Sequence, residues 1–368
     1  MRRLLAALLL GLAVSAPFAL PAQATTFNVP AAAGGSKAEQ DVYNRTVAAE
    51  IRKAKPGGLV SVSTYGMSSG IVLDALLDAH ARKVRIHFLT WDKDTYNAST
   101  KLVKVLGHDR RNPSYAIKCE GSCGSATTKN GHEGANHAKL VTVSTTHYTN
   151  NASGNLTNTG DTKWNEFQST TCKAVYEPVT AWIHKLSADK NVKNAKTINA
   201  CGWKLYLLPQ SADSFDPQLG VLKDTSCKPY KSGKRTVVPR VRVVMMIWED
   251  KRVGIAKELA DLTRRKCDVR VILMPDQTEP KVLAALRKGH VKMRNGGTRG
   301  MKDHAKSLVV DAKVDGDVHH YVFAGSANFG GYGRNTNTIL RMDSWTEVDQ
   351  HLRWFDRYSQ PKNSKAFS

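Results

Sequence analysis

Several signatures are missing from this chain. The glycine-rich stretch NGGTRG at 295–300 lacks the Lys-Ser/Thr that would reach a nucleotide's phosphates, which excludes P-loop hydrolysis. His132 and Glu133 precede His137 in a glycine-rich stretch, without the helical His-Glu-x-x-His spacing of a zinc peptidase. His319-His320 reads as exposed turn or strand rather than a ligand pair. Cys119 and Cys123 have no second matching cysteine pair, so a zinc reading of them fails. After Leu20 no run approaches the roughly 20 apolar residues of a membrane span. Acidic side chains are also scarce, with 32 Asp and Glu against 54 Lys and Arg and a net charge of +22. Such a field favours polyanionic partners: nucleic acid, an anionic membrane surface or cell-wall polymers.

The N-terminus has one apolar run, Leu4 to Leu20, after Met-Arg-Arg and before Ala22-Gln23-Ala24. Basic n-region, short h-region and small-residue cleavage site describe a secretory signal peptide over 1–24. Gly11, Ser15 and Pro17 interrupt the run and weigh against an anchor. The expectation is an exported, extracellular protein starting near Thr25. Its six cysteines are then read as disulfides. Of the roughly 15 possible pairings, the nearest-neighbour set is expected: Cys119 with Cys123, Cys172 with Cys201, Cys227 with Cys267.

Periodicity predicts a helix near 38–54, a strand at 59–65, a helix near 70–82 and a strand at 84–91. The second half repeats the order, with a strand at 241–248, a helix at 251–266, a strand at 269–275 and a helix near 279–288. This implies an α/β fold of two similar lobes, with mixed or parallel sheets covered by helices. Residues 25–184 make the first lobe, 241–368 the second, and 185–240, rich in Lys, Ser, Asp and Pro, a connecting segment on which Trp203 to Pro209 can dock.

Each half also carries the same motif pair. NHAKLVTVS at 136–144 and DHAKSLVVD at 303–311 place His137 and His304 at matching points. ASGNLTNTG at 152–160 and GSANFGGYG at 325–333 follow, pairing Ser153 with Ser326 and Asn155 with Asn328. On a strand, residues two apart share a face, so His-x-Lys presents an imidazole and a cation together. Duplicated His-x-Lys-x4-Asp with Gly-Ser-x-Asn resembles the phospholipase D superfamily over about residues 38–345. The departures are Ser144 in place of the first Asp, Ala152 in place of the first Gly, and Thr338 where the first half has Glu166.

The resemblance implies two lobes around a pseudo-twofold axis, pooling their motifs into one site. It implies a two-step reaction through a phosphohistidine, with His137 as nucleophile and His304 as general acid and then base. A neutral imidazole can attack phosphorus and an imidazolium can protonate the leaving oxygen. Lys139 and Lys306 are expected on the nonbridging oxygens, with Asn155 and Asn328 as donors and Ser153 and Ser326 binding substrate. Glu166 is expected to hold an imidazole in its reactive tautomer, and Thr338 to leave one imidazole less well oriented. Asp311, at an odd offset from Lys306, is read as structural.

No metal or organic cofactor is required by this scheme, and a monomer without an obligate protein partner is expected. The substrate reading is a phospholipid at a membrane surface, with transfer to an alcohol as a variant. Alternatives are a secreted nuclease using the same site, with HDRRN (108–112), KMRNGGTRGMK (292–302) and Arg334 lining a groove, and a binding-only relative.

Overall fold

Ser36 and Glu39 bond each other reciprocally at the start of the helix Lys37–Gln40, satisfying two of the amide groups that a helix start leaves bare. Asp41 interrupts the expected single helix, and a second one, Val42–Arg52, turns Val47, Ala48 and Ile51 inward. Ser69 caps the helix Gly70–Ala81 in the same way, accepting from the amide of Val72. The computed structural model describes residues 23–120, 123–124, 134–192, 196–210 and 215–367. His132 and Glu133 lie outside the described residues.

The first sheet is built from β1 (Gln23–Phe27), β2 (Leu59–Ser63), β3 (Arg85–Trp91), β4 (Tyr115–Cys119), β5 (Leu140–Val143), β6 (Tyr148–Ala152) and, past the two-residue β7 (Lys163–Trp164), β8 (Glu166–Thr170). Its order is β1-β8-β6-β5-β2-β3-β4. β2, β3 and β4 run parallel, while β5 is antiparallel to β2. Parallel strands need helical crossovers on the sheet faces. Accordingly Val60, Val62, Ile86 and Phe88 have no exposure beneath the helices Val42–Arg52, Gly70–Ala81 and Asn97–Leu106. Truncating Phe88 to Ala in such packing costs about 3–5 kcal/mol.

The chain then forms β9 (Thr197–Ala200), β10 (Trp203–Leu207), β11 (Thr225–Ser226), β12 (Tyr230–Ser232), β13 (Arg235–Val237), β14 (Arg240–Met245), β15 (Asp268–Leu273), β16 (Lys292–Asn295), β17 (Lys302–Asp303), β18 (Lys306–Val314), β19 (Asp317–Gly325), β20 (Thr338–Asp343) and β21 (Lys365–Phe367). The second sheet runs β21-β16-β15-β14-β18-β19-β20-β10-β9, with β11 beside β18. Parallel β14, β15 and β16 followed by antiparallel β18, β19 and β20 repeat the order of the first sheet. The duplicated two-lobe α/β plan is therefore the architecture observed.

The segment 185–240 is folded: β9 and β10 extend the second sheet, Trp203 to Leu207 pairs along β20, and β12 and β13 form a hairpin. Of the expected leader, residues 1–22 lie outside the described residues, while Gln23 and Ala24 pair with Thr170 and Ser169 at the sheet edge. The cysteines are joined as Cys119–Cys123, Cys172–Cys201 and Cys227–Cys267. Among the described residues no helix is long and apolar enough to cross a membrane.

Between the lobes lie the helices Lys173–Leu186 and Trp345–Tyr358. Val175, Val179, Trp182 and Ile183 from the first share one buried cluster with Val348 and Leu352 from the second, together with Leu89, Leu205, Val309 and Leu340 of the two sheets. The lobes therefore share a core, which fixes the geometry of anything built across their seam.

Candidate active site

The seam holds the site because each lobe pairs its histidine segment with a strand of the other. The amide of His304 donates to the carbonyl of Trp164 at 3.0 Å, and the amide of His137 donates to that of Thr336 at 2.9 Å. β7 and β17 run parallel, with Lys163 opposite Lys302 and Trp164 opposite Asp303. The mirror contact is a bridge between Asn136 and Thr336.

The side chains cross in the same fashion. His304 Nδ1 lies 2.9 Å from Asn165 Oδ1 of the first lobe, and His137 Nδ1 lies 2.7 Å from Asn337 Oδ1 of the second. The Asn165 amide nitrogen donates to the carbonyl of Lys163, which turns its oxygen to the imidazole. Asn337 Oδ1 also accepts from the Ser326 hydroxyl at 3.1 Å. With amide oxygens as partners, both Nδ1 atoms carry the proton, and each Nε2 is the free nitrogen.

A cleft of about 730 Å³ is lined by His137, His304, Asn155, Asn328, Asn335 and Asn337 together with Lys163. Its wall continues through Tyr65, Trp91, Lys93 and Tyr96 on the first lobe and Met246, Ile247, Glu249, Tyr332 and Arg334 on the second. Among the described residues, Asn155 Oδ1 and Asn328 Oδ1 are buried without a partner. HDRRN lies off this wall, as do Arg294 and Arg299 of KMRNGGTRGMK. A larger groove, about 970 Å³, runs along the second lobe by Arg287, Lys292 and Phe355 and contains none of the motif residues.

Lys139 and Lys306 are almost wholly buried, 1% and 4% exposed, and lie beneath the cleft rather than in its wall. Each ammonium folds back onto the carbonyl of its own histidine, Lys139 onto His137 and Lys306 onto His304. Burial, then Lys306 and Lys163, hold the Lys139 amine well below its ordinary value. Burial brings Lys306 down to about 7 against the counter-pull of Asp303. Burial likewise holds both imidazoles well below the usual histidine range, reinforced at His137 by Lys139 and Lys306, and at His304 by Lys306, Lys163 and Lys139. Burial in this site thus favours neutral imidazoles and weakly held ammonium protons.

Three expectations need correction. Glu166 does not touch His137 or His304: its carboxylate accepts the Lys306 amide at 3.2 Å and lies 3.2 Å from His351 Nε2. Asn165 and Glu166 are neighbours on an extended chain and face opposite ways, so the residue beside Glu166 reaches the imidazole. Thr338 likewise leaves no imidazole unsupported, because Asn337 supplies the partner. Ser153 and Ser326 are fully buried and committed to turns, with Ser153 Oγ bonded to the amide and carbonyl of Glu166 and Ser326 Oγ to the Thr338 amide. Neither hydroxyl lines the cleft.

Asp311 lies in β18 away from the cleft, with no exposure, and bonds Arg240, Tyr230 and His320. Its counterpart Ser144 instead accepts the Leu59 amide at 2.8 Å at the mouth of a turn. Asn165, Asn337 and Lys163 escaped the sequence reading. The signal was available in WNE at 164–166 and TNT at 336–338, where an Asn precedes both positions that were compared.

Residues 238–359 match the family described as cardiolipin synthase, PLD-like domain. Phosphatidylserine synthase from Haemophilus influenzae Rd KW20 superposes on 93% of this chain and 87% of its own, with a TM-score of 0.58 at 10% identity. Residues 238–359 thus carry a PLD-like domain, and the chain as a whole shares the fold of that neighbour. Polyphosphate kinase from Porphyromonas gingivalis shares this phospholipase D-like fold, at a TM-score of 0.58 and 11% identity over 92% of this chain; the chain spans about half, 51%, of that kinase's length. No curated protein sequence matches the chain. In this chain the two histidine motifs meet at the seam, which is where the cleft opens.

Proposed function

We propose that the protein is a phospholipase D-type phosphodiesterase that cleaves phospholipids, with transfer to an alcohol as a variant of the second step. The observation that carries the reading is the crossed arrangement: two imidazoles in one cleft, each with its Nδ1 proton held by an amide oxygen of the opposite lobe. One Nε2 attacks phosphorus and forms a phosphohistidine, while the other imidazolium hands its proton to the leaving oxygen. Water or an alcohol then attacks, deprotonated by the second imidazole. The buried lysines and Lys163 offset charge on the phosphoryl oxygens, an effect strengthened by low local dielectric. Asn155 and Asn328 present amides to the same space.

This chemistry places no step on a metal. The phospholipid reading is supported by Met246, Ile247, Trp91 and Tyr96 around the mouth, Tyr96 being 45% exposed. The basic surface would favour anionic bilayers, at about 1 kcal/mol per well-placed Lys or Arg. Action on nucleic acid is the second reading, favoured by one feature: Tyr65 and Trp91 stack at 4.5 Å with Lys93 over the Trp91 ring, a surface on which a base can stack. Export through the N-terminal leader belongs to the same proposal.

The test is product release, with chelator present, from phosphatidylcholine or phosphatidylglycerol vesicles and from single- and double-stranded DNA, each beside His304→Ala. Lipid cleavage lost in the variant supports the phospholipase reading. DNA cleavage lost in the variant replaces it with the nuclease, and turnover that survives in the variant removes both.

A further inference from the structure

The two halves of the site hold their histidines alike, and one difference beside the supporting amides is informative. Asn165 corresponds to Asn337, Trp164 to Thr336, and the residue two before each amide is Lys163 in one lobe and Asn335 in the other. Both line the cleft. The Asn335 side chain is engaged by the amide of Ala135 at 3.0 Å, whereas among the described residues no carboxylate forms an ion pair with Lys163. Lys163 is on the extended segment that also carries Asn165, two positions on and therefore on the same face. It accompanies the amide that holds His304. On that side Asp303 and Glu166 bear on Lys306, while Lys302 is the charge felt by Lys163 itself.

We propose that Lys163 is a third phosphoryl-binding lysine, present on one side only of the pseudo-twofold site, and that it makes His304 the nucleophile and His137 the proton donor. The inference rests on the phosphodiesterase reading and reverses the order that the family resemblance implies. A cation beside an imidazole favours its neutral form, which is the form that attacks. Lys306, Lys163 and Lys139 bear on His304, whereas Lys139 and Lys306 bear on His137; each imidazole has one amide partner, Asn165 for His304 and Asn337 for His137. In the first step His304 Nε2 forms the N–P bond, the P–O bond to the leaving group breaks, and His137 transfers its proton to that oxygen. In the second, His137 takes a proton from water, the new P–O bond forms, and the N–P bond breaks with its electron pair returning to His304. The phosphoryl group resides on His304 between the steps, where Lys163 offsets its charge.

Bis(4-nitrophenyl) phosphate separates the roles, because nitrophenolate leaves without a proton. His137→Ala should release a burst of about one nitrophenolate per site and then stall, since nucleophile attack survives and hydrolysis lacks its base. His304→Ala should give no burst. Mass spectrometry of rapidly quenched, digested His137→Ala should find the phosphoryl adduct on the peptide of His304. Lys163→Asn, which copies Asn335, should lower kcat/KM by about 100-fold and divide the adduct between the two histidines, with Lys163→Arg recovering part of the loss. A burst in His304→Ala, or an adduct on His137 alone in the wild-type chain, overturns the assignment while leaving the phosphodiesterase reading intact. A wild-type chain that releases no nitrophenolate overturns both.

Discussion

Placing a carboxylate where each amide now stands should move the two limbs of the pH–rate profile separately. Asn165→Asp puts a negative charge against His304 Nδ1, and Asn337→Asp puts one against His137 Nδ1, at the present 2.9 and 2.7 Å. Two unit charges about 4 Å apart interact by about 4 kcal/mol at an effective dielectric of about 20, equivalent to about 3 pKa units. Exchanging a neutral for a charge-assisted hydrogen bond alone gives about 1 kcal/mol, so the window is about 1–3 units upward. The nucleophile must be neutral, so raising its pKa moves the acidic limb of kcat/KM to higher pH and narrows the profile. The donor must be protonated, so raising its pKa moves the alkaline limb to higher pH and widens it.

Asn165→Asp should therefore shift the acidic limb and Asn337→Asp the alkaline one, read with bis(4-nitrophenyl) phosphate for the first limb and a simple alkyl ester for the second. Asn→Ala at either position removes the partner of a buried N–H, costing about 1–3 kcal/mol or about 10- to 100-fold in kcat. Limbs that stay put in both Asp variants would refute the crossed positioning. Limbs that move in the opposite assignment would refute the order of the histidines and keep the crossing.

The remaining predictions concern the layers beneath. Ser326→Ala frees one side of Asn337 and should lower kcat about fivefold, the equivalent of one net hydrogen bond of about 1 kcal/mol, with KM unchanged; Ser153→Ala should cost similar stability in urea unfolding but little kcat, because Asn165 is anchored on the Lys163 carbonyl instead. Burial brings Lys306 down to about 7, so it is largely neutral at pH 8. Inorganic phosphate raises its pKa, so calorimetry in buffers of different ionisation enthalpy should show proton uptake at pH 8, and less in Lys306→Met. Replacing Cys227 and Cys267 by Ser opens a loop of 40 residues and should lower unfolding stability by about 4 kcal/mol on the loop-entropy scale.

How much of this was legible in the sequence follows from which interactions repeat with a short period. The parallel cores announce themselves: LVSVS, RIHFLTW, RVRVVM and DVRVIL are short runs dominated by Val, Ile, Leu and Phe between amphipathic helices, because strands covered on both faces are mostly apolar. The antiparallel extensions were harder to see. β6, YTNNA, is buried at every position yet polar in composition, its Asn150 held by the Val141 amide and Tyr43, so hydropathy gives no sign of it. β9 and β10 lie in a segment that composition marks as a connector, and only their pairing with β20 across the second sheet makes them strands.

The site shows the same division more sharply. His137, Lys139, His304 and Lys306 could be found because both members of each pair sit in one short motif. Their partners are 200 and 139 positions away, Asn337 for His137 and Asn165 for His304, and no local spacing connects them. Comparing the halves brought the search to Glu166 and Thr338, one residue too far. The charged residue attracted the assignment, although strand alternation sends it into the core beside His351 and leaves the neutral Asn facing the His304 imidazole. A carboxylate at Nδ1 would raise the pKa of an imidazole and favour its charged form; an amide fixes the tautomer without that cost to the neutral form. Since both amides are neutral, the difference between the two imidazoles must come from the surrounding cations, and of the cleft-lining cations Lys93, Lys163 and Arg334 it is Lys163 that bears on His304.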